Sequence, residues 1–167
     1  MMLKTPRLTL RPQQAGDAAA LFLILRDEEA MRFWNRPPIA RLAVVEDMVR
    51  EQQAAMAAGL CRYWTVLEGD DAIGSLDLSL IENGSAELGF LFRRDRWGFG
   101  FASETATAVV AFAAGPLGLR RLAAGIQTEN RAAARVLEKT GFVLVNQRQV
   151  TIASGESKDC AFYLRER

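Results

Sequence analysis

A-E-L-G-F-L-F-R-R-D-R-W-G-F-G-F-A-S-E, residues Ala86 to Glu104, decides the fold. Ala86, Leu88, Phe90 and Phe92 alternate with Glu87, Gly89 and Leu91, the period of a strand. Arg93, Arg94, Asp95 and Arg96 end the apolar run, and Trp97-Gly98-Phe99-Gly100-Phe101-Ala102 follows. Ala106, Val109, Val110 and Ala113 then fall on one helical face. Small residues at Gly98, Gly100 and Ala102 let the backbone approach a ligand closely. The loop opens a helix, whose N-terminal N–H groups and dipole favour negative charge. A strand, a glycine turn and a helix start in that order suit a phosphate or pyrophosphate.

Working outward, Glu82-Asn83-Gly84-Ser85 is the clearest turn in the chain: Asn-Gly between two alternating runs predicts a type I′ hairpin. A two-residue loop sets Glu82 opposite Ser85, Leu80 opposite Glu87 and Leu76 opposite Leu91. One face then carries Leu76, Leu78, Leu80, Leu91 and Glu87, and the other Ser75, Asp77, Ser79, Leu88, Phe90 and Phe92. Neither face is wholly polar, which predicts a central sheet covered on both sides. Before the hairpin, a strand from Leu8 ends near Pro12. Asp17 stands as N-cap of a helix through Leu25, a second helix spans 42–58, and strands follow at 62–67 and 73–81. After the glycine loop and its helix come a strand at 122–127 and a helix at 131–139 opened by Asn130. Three short strands, at 142–145, 149–152 and 161–164, finish the chain. The loops Met31–Pro38 and Ala153–Asp159 are placed to shape a pocket.

Composition sets outer limits. A chain of 167 residues with half of them apolar is expected to be one domain, residues 1–167, with a full core. A formal net charge of +1 gives no field for nucleic acid or a membrane surface. No apolar run approaches a bilayer span, and no signal-peptide pattern opens the chain, so a cytoplasmic setting is expected. Cys61 and Cys160 sit in no metal or redox spacing. There is no histidine, which removes Ser-His-Asp and Cys-His schemes and any histidine-ligated metal; no metal is expected.

W-G-F-G-F-A resembles the Gln/Arg-x-x-Gly-x-Gly/Ala motif of the GNAT N-acetyltransferases, with Trp97, Gly100 and Ala102 at the specified positions. Its Trp-Gly-x-Gly form is similar to the RimJ/RimL branch. Two further blocks agree: N-R-A-A-A-R-V-L-E-K-T-G-F from Asn130 to Phe142, and T-P-R-L-T-L-R-P from Thr5 to Pro12. The resemblance implies an α/β GNAT fold, a single mixed, mostly antiparallel splayed sheet of about seven strands with helices on both faces. It implies acetyl-CoA as co-substrate and an amine acceptor, either a protein N-terminal α-amine or a small molecule.

The cofactor site implied is the main chain of Phe90, Leu91 and Phe92 for pantetheine and Gly98, Phe99, Gly100, Phe101, Ala102 and Ser103 for pyrophosphate. Asn130 would serve as cap or pantetheine contact, and Trp97 as anchor of the loop. Arg93, Arg94 and Arg96, or Arg131 and Arg135, could meet the CoA 3′-phosphate. Glu87 is the candidate general base, with Asp77 a second on the opposite face. Where the family carries a tyrosine or serine acid, this chain has Leu137 and Ala133, which leaves either water as the acid or a thiolate that departs unassisted. Two rivals remain: a non-catalytic acyl-CoA-binding module, motivated by Ala133 and Leu137, and a dinucleotide-dependent oxidoreductase, motivated by the G-x-G turn and Glu129.

Overall fold

The computed structural model describes all residues from Met1 to Arg167. One sheet of eight strands organises it: β1 (Leu3–Lys4), β2 (Thr9–Pro12), β3 (Arg62–Glu68), β4 (Asp71–Glu82), β5 (Ser85–Phe92), β6 (Arg121–Gln127), β7 (Val143–Thr151) and β8 (Ser157–Glu166). Their order across the sheet is β1-β2-β3-β4-β5-β6-β8-β7, antiparallel throughout except for β5 against β6. Four helices cover it: α1 (Ala18–Leu25), α2 (Leu42–Ala57), α3 (Phe101–Ala114) and α4 (Arg131–Lys139). The eighth strand beyond the seven expected is the two-residue β1, too short to carry a period.

The parallel pair is where the sheet opens. β5 and β6 pair only at Ser85–Arg121, Ala86–Leu122 and Glu87–Ala123. Beyond Glu87 the strands diverge, so Leu88 to Phe92 have no strand partner on that side. Their other edge still pairs with β4. The parallel crossover is supplied by α3, whose buried stripe of Phe101, Thr105, Ala106, Val109, Val110, Phe112 and Ala113 seats it on the sheet.

Each face has its own core. On the α3/α4 side, 23 buried residues pack together, among them Leu76, Leu78, Leu88, Phe92 and Leu137. Trp64 is at the centre, edge-on to Phe112 at 5.7 Å between ring centroids, with its Nε1 donating to Met1 O at 3.0 Å. On the α1/α2 side a smaller core of 10 residues joins Leu21, Ile24, Leu25, Val45 and Val49 to Leu91.

The hairpin corrects the sequence register by one residue. Glu82 does face Ser85, and Asn83 and Gly84 both have positive φ, as a type I′ turn requires. From Ser79 inward, however, Ser79 faces Glu87, Asp77 faces Gly89 and Leu76 faces Phe90. A bulge at Leu80–Ile81 inserts the extra residue: Leu80 takes φ 49° and stands exposed, and Ile81 N–H turns to Leu60 O at 3.0 Å. The slip moves side chains to the other face. Leu76 and Leu78 therefore share a face with Leu88, Phe90 and Phe92. Asp77 and Ser79 share the other with Glu87 and Leu91, so Asp77 is not opposite to Glu87 but on the same side.

Two other expectations change. Asp17 stands at the N-cap position of α1, but its side chain makes no capping bond to that helix. It lies in a 3-10 turn, accepts from Gln14 N at 2.7 Å and pairs with Arg11, and Thr65 Oγ1 donates to it at 2.6 Å. Val143–Thr151 form one strand, β7, where two short ones at 142–145 and 149–152 were expected; its polar centre Asn146–Gln149 is held by pairing with β8.

Candidate active site

Trp97 anchors the glycine loop: its Nε1 donates to Phe92 O at 3.0 Å, fixing the loop to the end of β5. Gly98 and Gly100 have φ 82° and 79°, a left-handed backbone in which an L side chain is strained. The N–H groups of Gly98, Phe99, Gly100, Phe101, Ala102 and Ser103 make no hydrogen bond within the protein. The first turn of α3 is thus an array of free donors backed by the helix dipole. A Cβ built at Gly98 meets nothing within 4 Å, so the space above the loop is open.

Close by, Glu104 sits in the first turn of α3, where a bare carboxylate would repel an anion. Thr5 Oγ1 donates to it at 2.6 Å, Arg7 N at 3.1 Å and Arg7 Nε at 2.7 Å. Burial alone would raise the Glu104 pKa, but these bonds hold it below the usual carboxylate range. Arg7 also lies over the Phe101 ring at 4.6 Å. No local signal in the sequence marks this role of Thr5 and Arg7, because their partner Glu104 lies nearly a hundred residues away.

The opening between β5 and β6 is a cleft of about 340 Å³. Leu88, Gly89 and Phe90 line one wall, and Ala124, Gly125, Ile126 and Gln127 the other. Asn130 and Ala133 close it on the α4 side, and Phe33, Trp34, Asn35, Val150, Ile152, Cys160 and Phe162 on the other. The two loops expected to shape a pocket meet here: Ala153 N donates to Asn35 O at 3.1 Å, and Gln127 Nε2 to Trp34 O at 3.4 Å. No side chain lining the cleft carries a formal charge.

Asn130 is both cap and lining residue. Its side chain accepts from Ala133 N at 3.1 Å and starts α4. Phe90 is half-buried along the cleft, while Leu91 and Phe92 are buried on opposite faces of β5. Ala133 lines the cleft, but Leu137 is fully buried in the core and offers nothing to it.

The arginines divide. Arg93 is held by Asp71 and Asp95, Arg96 by Glu68 and Asp95, and Arg94 by Asp27. Arg93 and Arg96 staple the bend after β5 to the β3–β4 turn, Arg94 ties it to the segment after α1, and none of the three is a free cation. Arg131 and Arg135 are exposed and make no ion pair.

Glu87 is exposed in the last pair before the strands part and does not line the cleft. Asp77 is one row nearer the opening, beside Gly89. A Cβ on Gly89 would stand 2.5 Å from Asp77 Oδ1, so the carboxyl occupies the space a side chain there would need. Asp77 keeps some accessible surface, yet the protein atoms packed round its carboxyl displace most of its hydration. That burial, with the Glu87 charge adding and a hydrogen bond with Ser79 opposing, pushes its pKa up to about 7. Its neighbour across the β3–β4 pair, Tyr63, is raised to about 12, by burial first and then by Asp77.

Against known proteins, residues 7–143 match the family described as "Acetyltransferase (GNAT) domain". The chain is a GNAT acetyltransferase. The curated relative "Uncharacterized N-acetyltransferase p20" of Bacillus licheniformis is 31% identical over 144 residues, 84% of this chain and 81% of its own. Among solved structures, RimL, a ribosomal L7/L12 alpha-N-protein acetyltransferase in complex with coenzyme A, superposes with a TM-score of 0.92 at 20% identity, covering 99% of this chain and 98% of its own. The spermidine N-acetyltransferase of Vibrio cholerae, in complex with CoA and spermine, gives a TM-score of 0.85 at 21% identity over 96% and 95% of the two chains. The likeness to the RimJ/RimL branch therefore holds for the fold, and the acetyltransferase moves an acetyl group to an amine. Membership of this family sets aside the oxidoreductase reading. No helix is long and apolar enough to cross a membrane.

Proposed function

We propose that the acetyltransferase takes acetyl-CoA as its co-substrate in the cleft between β5 and β6. Its acceptor is an amine with an apolar body, either a protein N-terminal α-amine or a small molecule. The pyrophosphate would lie on the free N–H groups of Gly98, Phe99, Gly100, Phe101, Ala102 and Ser103. The pantetheine arm would run along the unpaired edge of Phe90, Leu91 and Phe92 toward Asn130, with Trp97 holding the loop at its height. The acetyl group would then reach the gap between Gly89 and Gly125. Direct transfer fits a chain with no histidine; it depends on positioning two reactants and on main-chain donation to the thioester oxygen. Proton removal falls to the α1/α2 face of the hairpin, where Glu87 and Asp77 lie together.

The observation that carries the acceptor class is the cleft wall. It holds Phe33, Trp34, Val150, Ile152 and Phe162 and no charged group. A polyamine or aminoglycoside would bring further ammonium groups into apolar surroundings, which costs several kcal/mol for each one left unpaired. An amine with one positive centre avoids that cost.

The test is release of free CoA thiol across peptides with apolar N-terminal residues, arylalkyl amines, polyamines and aminoglycosides. The first two groups should turn over with the higher kcat/KM. Preferred turnover of a polyamine would overturn the acceptor class. Tight CoA binding with no turnover of any amine would leave an acyl-CoA-binding module. Gly100→Val should weaken CoA binding at least tenfold by calorimetry while circular dichroism shows a folded domain. Retained affinity would remove the loop from the pyrophosphate site.

A further inference from the structure

Resting on that acetyl-CoA reading, we infer that Asp77, and not Glu87, accepts the proton lost by the acceptor amine, reached through a water at the gap that Gly89 leaves. Three observations of geometry converge. The cleft wall contains no carboxylate, so the acceptor must lie behind the wall. At Gly89 the wall has no side chain, and the Asp77 carboxyl takes the place where one would stand. The register places Asp77 directly across from Gly89, whereas Glu87 belongs to the last row in which β5 and β6 still pair.

The surroundings of Asp77 suit a base that works near neutrality. Tyr63 and Cys61 face it from the β3 side, and Glu87 from β5. Ser79 lies beside it on its own strand and favours the ionised form. The buried residues of α1 are Ala18, Leu21, Ile24 and Leu25, and those of α2 are Val45 and Val49. Neither helix therefore sends a buried cation to the carboxyl. The Tyr63 hydroxyl, raised to about 12, stays protonated and takes no proton in this range. In the reaction the amine nitrogen bonds to the acetyl carbon, and the C–S bond breaks with its electron pair going to sulfur. One N–H proton passes through the water to the Asp77 carboxylate, and from there to solvent or to the departing thiolate.

The experiment measures acetyl transfer from pH 5.5 to 9 with arylalkyl amines of graded pKa, for wild type, Asp77→Asn, Glu87→Gln and Gly89→Ala. CoA affinity is measured in parallel by calorimetry. In wild type one acid limb should follow the amine and a second, near 7, should not. Asp77→Asn should lose the second limb and at least tenfold in kcat with CoA affinity unchanged. Glu87→Gln should keep that limb and move it to lower pH, because a negative neighbour has been removed. Gly89→Ala, which forces the carboxyl aside, should lower kcat without weakening CoA. A folded Asp77→Asn with full rate and an intact limb overturns the assignment, as does loss of the limb in Glu87→Gln alone. Failure of wild type to bind CoA would instead sink the co-substrate reading.

Folding supplies a second readout. The native carboxyl keeps a proton that the unfolded chain, at the ordinary aspartate value, has released. Wild-type Tm should therefore contain a component that falls as pH rises from about 4 to 7, and this component should be absent in Asp77→Asn. Identical pH dependence of Tm in the two proteins would contradict the proposed state of Asp77.

Discussion

The two faces of the sheet are built for different work. The α3/α4 face is apolar throughout its centre: Trp64, Leu76, Leu78, Leu88 and Phe92 meet Phe112, Val109 and Leu137 in one continuous core. The α1/α2 face of the same strands carries Tyr63, Thr65, Ser75, Asp77, Ser79 and Glu87, with Leu91 as its buried apolar member. Strands β3 to β5 thus hold the domain together with one set of side chains and place polar groups beside the cleft with the other. A period of two keeps the sets apart, and the bulge at Leu80 decides which set looks which way. Stability and proton chemistry can therefore be altered on the same strand with little interference.

The largest effect should come from the apolar face. Trp64→Ala removes the edge-on contact with Phe112 and the bond to Met1 O, and should cost about 3–5 kcal/mol by chemical denaturation. That loss should be nearly independent of pH, since no titrating group is involved.

On the polar face, Asp17→Ala should cost about 2–4 kcal/mol at pH 7, because it leaves Arg11, Thr65 Oγ1 and Gln14 N–H without their partner. Burial would raise the Asp17 pKa, but hydrogen bonds from Arg11, Thr65 and Gln14 hold it below the usual aspartate range. The stability it supplies is fully present above the unfolded value of about 4 and lost as pH falls through the lower folded value. The gap between wild type and variant should therefore close in acid, whereas the gap for Trp64→Ala should not. Parallel behaviour of the two would erase the distinction between the faces.

The smallest change in stability tests the cleft itself. Ala133→Ser adds a hydroxyl to a lining position next to the Asn130 cap and should shift stability by less than about 1 kcal/mol. If protonation of the thiolate limits the rate, kcat should rise by less than the roughly hundredfold gain of a fully placed acid. CoA affinity should stay the same. An unchanged kcat with the same amine would show that thiolate departure is not limiting.

Much of this was legible because the signals are local. The Asn83–Gly84 turn, the strand into Phe92, the helix from Phe101 and the Asn130-capped helix each announce themselves within a few residues. The bulge did not, although Leu80 and Ile81 are adjacent apolar residues that break the alternation just before the turn. Missing that one residue put Asp77 on the wrong face and hid its contact with Gly89. Asp17 looked like a cap because aspartate before an apolar run usually is one; its partners Arg11 and Thr65 come from two other strands. Arg93 and Arg96 looked free because Glu68 and Asp71 are distant in sequence. The polar run Asn146–Gln149 reads as loop, and only pairing with β8 makes it strand.

The grip of Thr5 and Arg7 on Glu104 makes these two residues, nearly a hundred positions away in sequence, part of the charge balance at the first turn of α3. Losing them would leave an unneutralised carboxylate beside the open donors of the loop. Without that grip the enzyme should lose affinity for an anionic co-substrate, most of all at low ionic strength. A substitution at either residue should be judged by co-substrate affinity as well as by stability.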